Sequence, residues 1–236
     1  MRILLILIFF CPLLSFAQSD FFGTADQFFK KRMVNNRLNY QLLKEDPSEL
    51  DTLVLMIAAM RVDTLTREEY VAFYINAYNL MVIKGVVDRY PLDNMQDVEG
   101  FFSDVPFTVA GQSLSLDQIE FDKIFERIDD PRFHFVLNCG AYSCPTLFNE
   151  AILPDQLESQ LNFAIQMIID REDYVMIDHD TQSVYLSKIF DWYNEQFTRN
   201  GTLRQFINQH RFVSIPSDYE IKYMEYDWRL NDSNLN

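Results

Sequence analysis

From Phe21 onward the apolar residues recur at helical spacing. Phe21 to Leu43 and Ser48 to Met60 set them three and four positions apart, and Asp46-Pro47-Ser48 reads as the start of the second helix. A third helix is bounded more sharply. Thr66 with Glu69 three residues on forms a capping box, the stripe continues to about Asp88, and Pro91 follows. Phe107 to Ala110, then Gly111-Gln112, then Ser113-Leu114 predict a small hairpin. Ser115 with Gln118 repeats the capping pattern for a helix to about Ile128, which Asp129-Asp130-Pro131 breaks. Phe133 to Asn138 predicts a short strand, Pro145 opens a short helix, and Pro154 opens a longer one to about Ile169. Tyr174 to Ile177 and Val184 to Leu186 flank a His179-Asp180 turn as a second hairpin. Ser187 to Phe197 and Leu203 to His210 read as helices, and Tyr219 to Trp228 as a closing strand. The resulting expectation is an α+β fold, with a helical N-terminal half packed on a small, mainly antiparallel sheet.

The first residues follow a different pattern. Met1-Arg2, the apolar run Ile3 to Phe10, and Ser15-Phe16-Ala17 read as a secretory signal peptide over residues 1–17. That leaves 18–236 as a single globular domain, exported to the periplasm or the cell exterior, with no membrane span after removal. Cleavage also removes Cys11, so the mature chain carries two cysteines, Cys139 and Cys144, in an oxidising compartment.

Charge narrows the partners. Acidic residues outnumber basic ones 35 to 20 in the 236-residue chain, for a net charge of −15, so nucleic acid is not an expected partner. The 21 Phe and 12 Tyr supply enough apolar area for a core without cross-links.

The candidate chemistry concentrates between His134 and Pro145. Strand alternation puts His134, Val136 and Asn138 on one face and Cys139 with apolar neighbours on the other. With Pro145 at the first helical position, Cys144 falls at a helix cap, where free amides and the helix dipole favour a thiolate. His134 is the histidine best placed in sequence to act as its base; His179 fits a solvated turn and His210 a helix end. Asn76 and Asn79 sit among aromatic residues, where an amide needs fixed partners; they either orient a base, donate to an oxyanion, or tie the helix to a neighbouring loop. Glu120 lies near the buried stripe of its helix and needs a cation or His134 beside it. Two further readings of the same cysteines are a Cys139–Cys144 disulfide in a non-catalytic binding or scaffold domain, and, more weakly, zinc held by Cys139, Cys144 and His134. No metal or other cofactor is expected.

Four ordered segments carry a resemblance: Phe73 to Asn79, Ser115 to Glu120, Asp130 through Cys144-Pro145, and Leu186 to Tyr193. Together, over about residues 65–198, they resemble the domain-of-unknown-function 547 family. The resemblance implies a site in which the helix motif, Glu120, His134, Cys139 and Cys144 stand at the family's characteristic positions. A capping cysteine with histidine and amide partners is also loosely similar to papain-like and transglutaminase-like thiol enzymes, although here the histidine precedes the cysteine. The expected activity is a thiol hydrolase or acyltransferase acting on a peptide-like amide or other small-molecule substrate. In it Cys144 attacks, with Cys139 as the alternative nucleophile, His134 moves the proton, Glu120 holds the imidazole, and Asn76 or Asn79 orients the base or binds the oxyanion.

Overall fold

The computed structural model describes residues 13–234, with side chains described from Phe21 onward. The leader expected over residues 1–17 therefore lies outside the described residues, apart from the backbone of 13–17. That backbone is already part of helix α1 (Leu13–Arg32), which buries Phe21, Phe22, Ala25, Phe28 and Phe29 along one face.

The helix expected to continue to Leu43 stops at Arg32. Asn35 and Asn36 adopt φ of 50° and 60°, a left-handed pair that asparagine tolerates. They turn the chain through a two-residue-per-strand hairpin, β1 (Met33–Val34) and β2 (Arg37–Leu38). The side chain of Asn39 then accepts from the Leu42 amide and starts α2 (Tyr40–Glu45). Helix α3 (Ser48–Ala59) follows at the expected position.

Helix α4 (Arg67–Arg89) forms the centre of the molecule. Both halves of its capping box are made: Thr66 N donates to Glu69 at 2.8 Å, and Glu69 N donates to the Thr66 hydroxyl at 3.3 Å. From Tyr70 to Val87 every residue but Lys84 is buried, so the helix is apolar on all sides because it is packed on all sides. A single contiguous apolar core runs from Phe21 to Leu230 around it.

The first predicted hairpin is present as β3 (Phe107–Val109) and β4 (Gln112–Leu114), turning on Ala110 and Gly111, both at positive φ. Ser115 and Gln118 make their reciprocal pair of bonds at 2.9 and 3.2 Å. The helix they open is wound wide, as a π-helix over Gln118–Phe125, and ends before the expected Ile128. After it the reading changes. Residues 133–138 do not form a strand: the Asp130 side chain accepts from the Arg132 amide, Pro131 takes the first position, and a 3₁₀-helix spans Pro131–Phe135. No helix begins at Pro145 either; residues 145–148 are irregular.

Helix α5 (Leu157–Ile169) follows a short 3₁₀ turn at Pro154. The second hairpin, β5 (Val175–Asp178) with β6 (Ser183–Leu186), is antiparallel as expected. The region read as one helix from Ser187 to Phe197 is divided into α6 (Ile189–Trp192) and α7 (Asn194–Thr198), and α8 (Leu203–His210) follows. The closing strand is shorter than expected, β7 (Glu220–Tyr223), and it joins β6 in parallel, giving a three-stranded sheet in the order β5-β6-β7. Beyond it, residues 224–234 run as an extended strap. It pairs antiparallel with the 140–143 loop at Ala141 and Leu230, and it also bonds residues 93–95 and Leu38. The fold is thus α+β, with its sheet small and mixed.

Candidate functional site

One cavity of about 350 Å³ opens where the π-helix, the 3₁₀-helix, the 137–145 loop, α4, α6 and the strap converge. Glu120, His134, Cys139 and Cys144 all line it, together with Tyr78, Phe102, Asp117, Leu137, Pro145, Ile189, Trp192, Tyr193, Tyr226 and Trp228. Four of the sequence-selected side chains are therefore neighbours of one space.

The wide winding of the π-helix turns Glu120 inward from its first turn, and the residue is 5% exposed. Burial pushes its carboxyl up to about 7, while hydroxyls of Tyr193 and Tyr78 directed at it draw it back down. His134, from the 3₁₀-helix, has its ring stacked between Tyr193, at 3.7 Å between centroids, and Phe125, at 4.6 Å. Its Nε2 donates to the side-chain oxygen of Gln196, and its Nδ1 faces the Glu120 carboxyl at 3.8 Å. Burial lowers the imidazole to about 4, against the opposing pull of Gln196, so the ring is neutral at pH 7. A neutral ring that gives its proton to Gln196 leaves Nδ1 bare toward Glu120, which matches a protonated carboxyl there.

The two cysteines are free thiols, so the Cys139–Cys144 disulfide is not formed. Cys144 is buried, its sulfur accepts the Cys139 amide at 2.8 Å, and burial raises its thiol well above the usual range. The helix dipole expected at this sulfur does not exist, because no helix follows Pro145. Cys139 is the more accessible of the two, with its sulfur 3.2 Å from the Tyr226 hydroxyl. Burial would raise its thiol too, but Cys144, the Tyr226 hydroxyl and the Ala141 amide supply hydrogen bonds to the sulfur, and the balance falls below the ordinary thiol value. The two thiols thus shift in opposite directions, Cys139 down and Cys144 up, and the Cys144 sulfur donates to the Leu137 carbonyl at 3.8 Å. Among the described residues no hydrogen bond joins His134 to either sulfur.

Asn76 and Asn79 do not line this cavity; they hold its back wall from α4. Asn76 donates to the carbonyls of Ala72 and Ile152 and accepts the Ile152 amide. Asn79 donates to the Val136 carbonyl and accepts the Asn138 amide, both at 2.8 Å. Asn76 spends both of its N–H donors and Asn79 one of its two on backbone carbonyls, which corresponds to the tie between helix and loop, and neither side chain lines the cavity where an oxyanion would form. Asn138 continues the brace, accepting from Gly140 N and Asn231 Nδ2 and donating to the Pro145 carbonyl. Gly140 sits at φ 82°, and a β-carbon there would meet the Met95 sulfur at 3.0 Å, so both backbone and space demand glycine.

The strap sets the loop that carries the thiols. Tyr142 N bonds Arg229 O at 2.7 Å, Ser143 N bonds Asp227 O at 3.1 Å, Asp227 N returns to the Ser143 hydroxyl at 3.0 Å, and Asn231 N bonds Gly140 O at 2.9 Å. These contacts use the amides that a helix start would have left free. They also bring in Tyr226 and Trp228, which the sequence reading passed over; Tyr78, Trp192 and Tyr193 stood inside quoted motifs but were not singled out. His179, bonded to Tyr219, and His210 lie elsewhere. Among the described residues no group of three or more His, Cys, Asp or Glu side chains is arranged to hold a metal ion.

No curated protein matches the chain, and no solved structure matches it, so the similarity to papain-like folds has no support. Residues 62–168 match the family described as "Protein of unknown function, DUF547". That stretch contains α4, the π-helix, Glu120, His134 and both thiols, and over these residues the chain carries a DUF547-family region.

Proposed function

We propose that the cavity is a thiol-dependent acyl-transfer site with Cys139, rather than Cys144, as its nucleophile. The observation that carries this reading is the Tyr226 hydroxyl 3.2 Å from the Cys139 sulfur, on the wall of the cavity that also holds the buried Glu120 carboxyl. The Cys139 thiolate attacks the carbonyl carbon of an amide or ester, forming a carbon–sulfur bond. The carbon–nitrogen or carbon–oxygen bond then breaks as protonated Glu120 gives its proton to the leaving group. Water attacks the thioester, its proton returns to Glu120, and the thiolate leaves. A carboxyl held at about 7 is suited to both transfers at neutral pH. His134 makes no hydrogen bond to either sulfur and acts as a positioning residue, held by Gln196 with its Nδ1 3.8 Å from the Glu120 carboxyl. The leader-like first 17 residues add the proposal that the protein works after export.

The test is acylation by p-nitrophenyl acetate, followed by intact mass and peptide mapping. One acyl group per chain on Cys139, lost in Cys139→Ala and kept in Cys144→Ala, is the expected result, with an iodoacetamide rate midpoint below the ordinary thiol value of about 8.5. An unmodified chain, or a midpoint at or above that value, refutes the reading.

A further inference from the structure

The cavity also has a charge preference. Six aromatic side chains face it: Tyr78, Phe102, Trp192, Tyr193, Tyr226 and Trp228. Three of them form a tilted cluster, with centroids 4.8 Å apart for Trp192 and Tyr226, 4.7 Å for Tyr226 and Trp228, and 5.6 Å for Trp192 and Trp228. Aromatic faces carry partial negative charge, and two carboxyl groups, Glu120 and Asp117, line the same space with no Lys or Arg among the lining residues. Elsewhere the chain sets its own cations over rings, as with Arg37 and Arg229 over the exposed Tyr142 or Arg127 over Tyr70. Among the described residues no such cation lies over the six cavity rings. The net charge of −15 adds a field of the same sign around the mouth.

We propose that this cavity binds a small ligand bearing an alkylammonium group, seated against the Trp192–Tyr226–Trp228 cluster and facing the carboxyl side of the wall. An anion meets the ring faces and the Asp117 carboxyl with no counter-charge there. A neutral ligand of the same shape gains the apolar contact but not the attraction of the ring faces. The inference names the substrate class of the thiol site proposed above and so rests on that reading for catalysis, while binding itself does not require a thiol.

Trp192 and Trp228 are the only two tryptophans in the chain, so tryptophan fluorescence reports on this cavity alone. The experiment titrates choline and its neutral isostere 3,3-dimethyl-1-butanol into the full-length protein and into Cys139→Ala, at constant ionic strength, with circular dichroism as a check on folding. A saturable change with choline, about tenfold weaker for the neutral isostere, is expected in both proteins. Equal affinity for the two ligands, or no saturable signal from choline, overturns the proposal. Choline binding without acylation of Cys139 sinks only the thiol reading, and acylation without choline binding sinks only this one.

Discussion

Glu120 and His134 form a buried pair whose protonation on folding is reversed at each member, and that reversal has a measurable signature. Folding moves the Glu120 carboxyl from an ordinary 4.5 up to about 7, and the His134 imidazole from 6.5 down to about 4. For Glu120 the raised value means that stability is complete below about 4.5 and declines as pH rises to 7, because the unfolded chain releases a proton that the folded one retains. For His134 the lowered value means that stability is complete above 6.5 and declines as pH falls to about 4, because the unfolded chain takes up a proton that the folded one refuses. Each effect amounts to about 3 kcal/mol over its window, or about 1.4 kcal/mol per pH unit, with opposite slopes. Between pH 4.5 and 6.5 they cancel. Burial, rather than the charge of Glu120, is the main cause of the histidine shift, so removing one member exposes the slope of the other. Chemical denaturation of the native protein, Glu120→Gln and His134→Gln across pH 4 to 8 measures this directly. Relative to the native protein, Glu120→Gln gains about 3 kcal/mol as pH rises through the window, and His134→Gln gains about the same as pH falls. Stability differences that do not vary with pH would show that the two groups are not buried as described, and the acid–base role given to Glu120 would fall with them.

Three further substitutions probe the wall and the thiols. Asn79→Leu leaves the Val136 carbonyl and the Asn138 amide without partners at a cost of about 2–5 kcal/mol, offset by about 1–2 kcal/mol of apolar burial, so urea unfolding should show a net loss of about 2 kcal/mol. Gly140→Ala forces a side chain into φ 82° and against Met95; a loss of about 1–3 kcal/mol in the same assay, with faster alkylation of both cysteines, is expected. Tyr226→Phe keeps the ring and removes the hydroxyl 3.2 Å from the Cys139 sulfur, so the midpoint of the iodoacetamide rate profile should move to higher pH with little change in stability.

Where the signals were local, the sequence was easy to read. The Thr66–Glu69 and Ser115–Gln118 boxes are made as drawn, and the hairpins at 107–114 and 175–186 keep their positions. The site was legible as a set of residues, since Glu120, His134, Cys139 and Cys144 do share a cavity, but not as a set of contacts. Phe133, Phe135 and Leu137 alternate like a strand, yet Asp130 and Pro131 begin a 3₁₀-helix, a turn that local periodicity does not separate from a strand over so few residues. Cys144-Pro145 looks like a helix start, but residues 140–143 are claimed by partners some 85 positions away, which no local pattern encodes. The parallel pairing of β7 with β6 is invisible for the same reason. Asn76 and Asn79 were legible as buried amides in need of partners, and the partners are backbone.

The strap that closes the cavity has a bearing on the order of events during synthesis. Tyr226 is made 87 residues after Cys139, so the thiol leaves the ribosome well before its hydroxyl partner and before the segment that clamps its loop. In that interval both sulfurs lack the cover and the donors that distinguish them later, and they behave as ordinary cysteines open to oxidation or crosslinking. Maturation of the protein therefore has a vulnerable period that ends only when the 224–234 strap docks, and reducing conditions matter most before that.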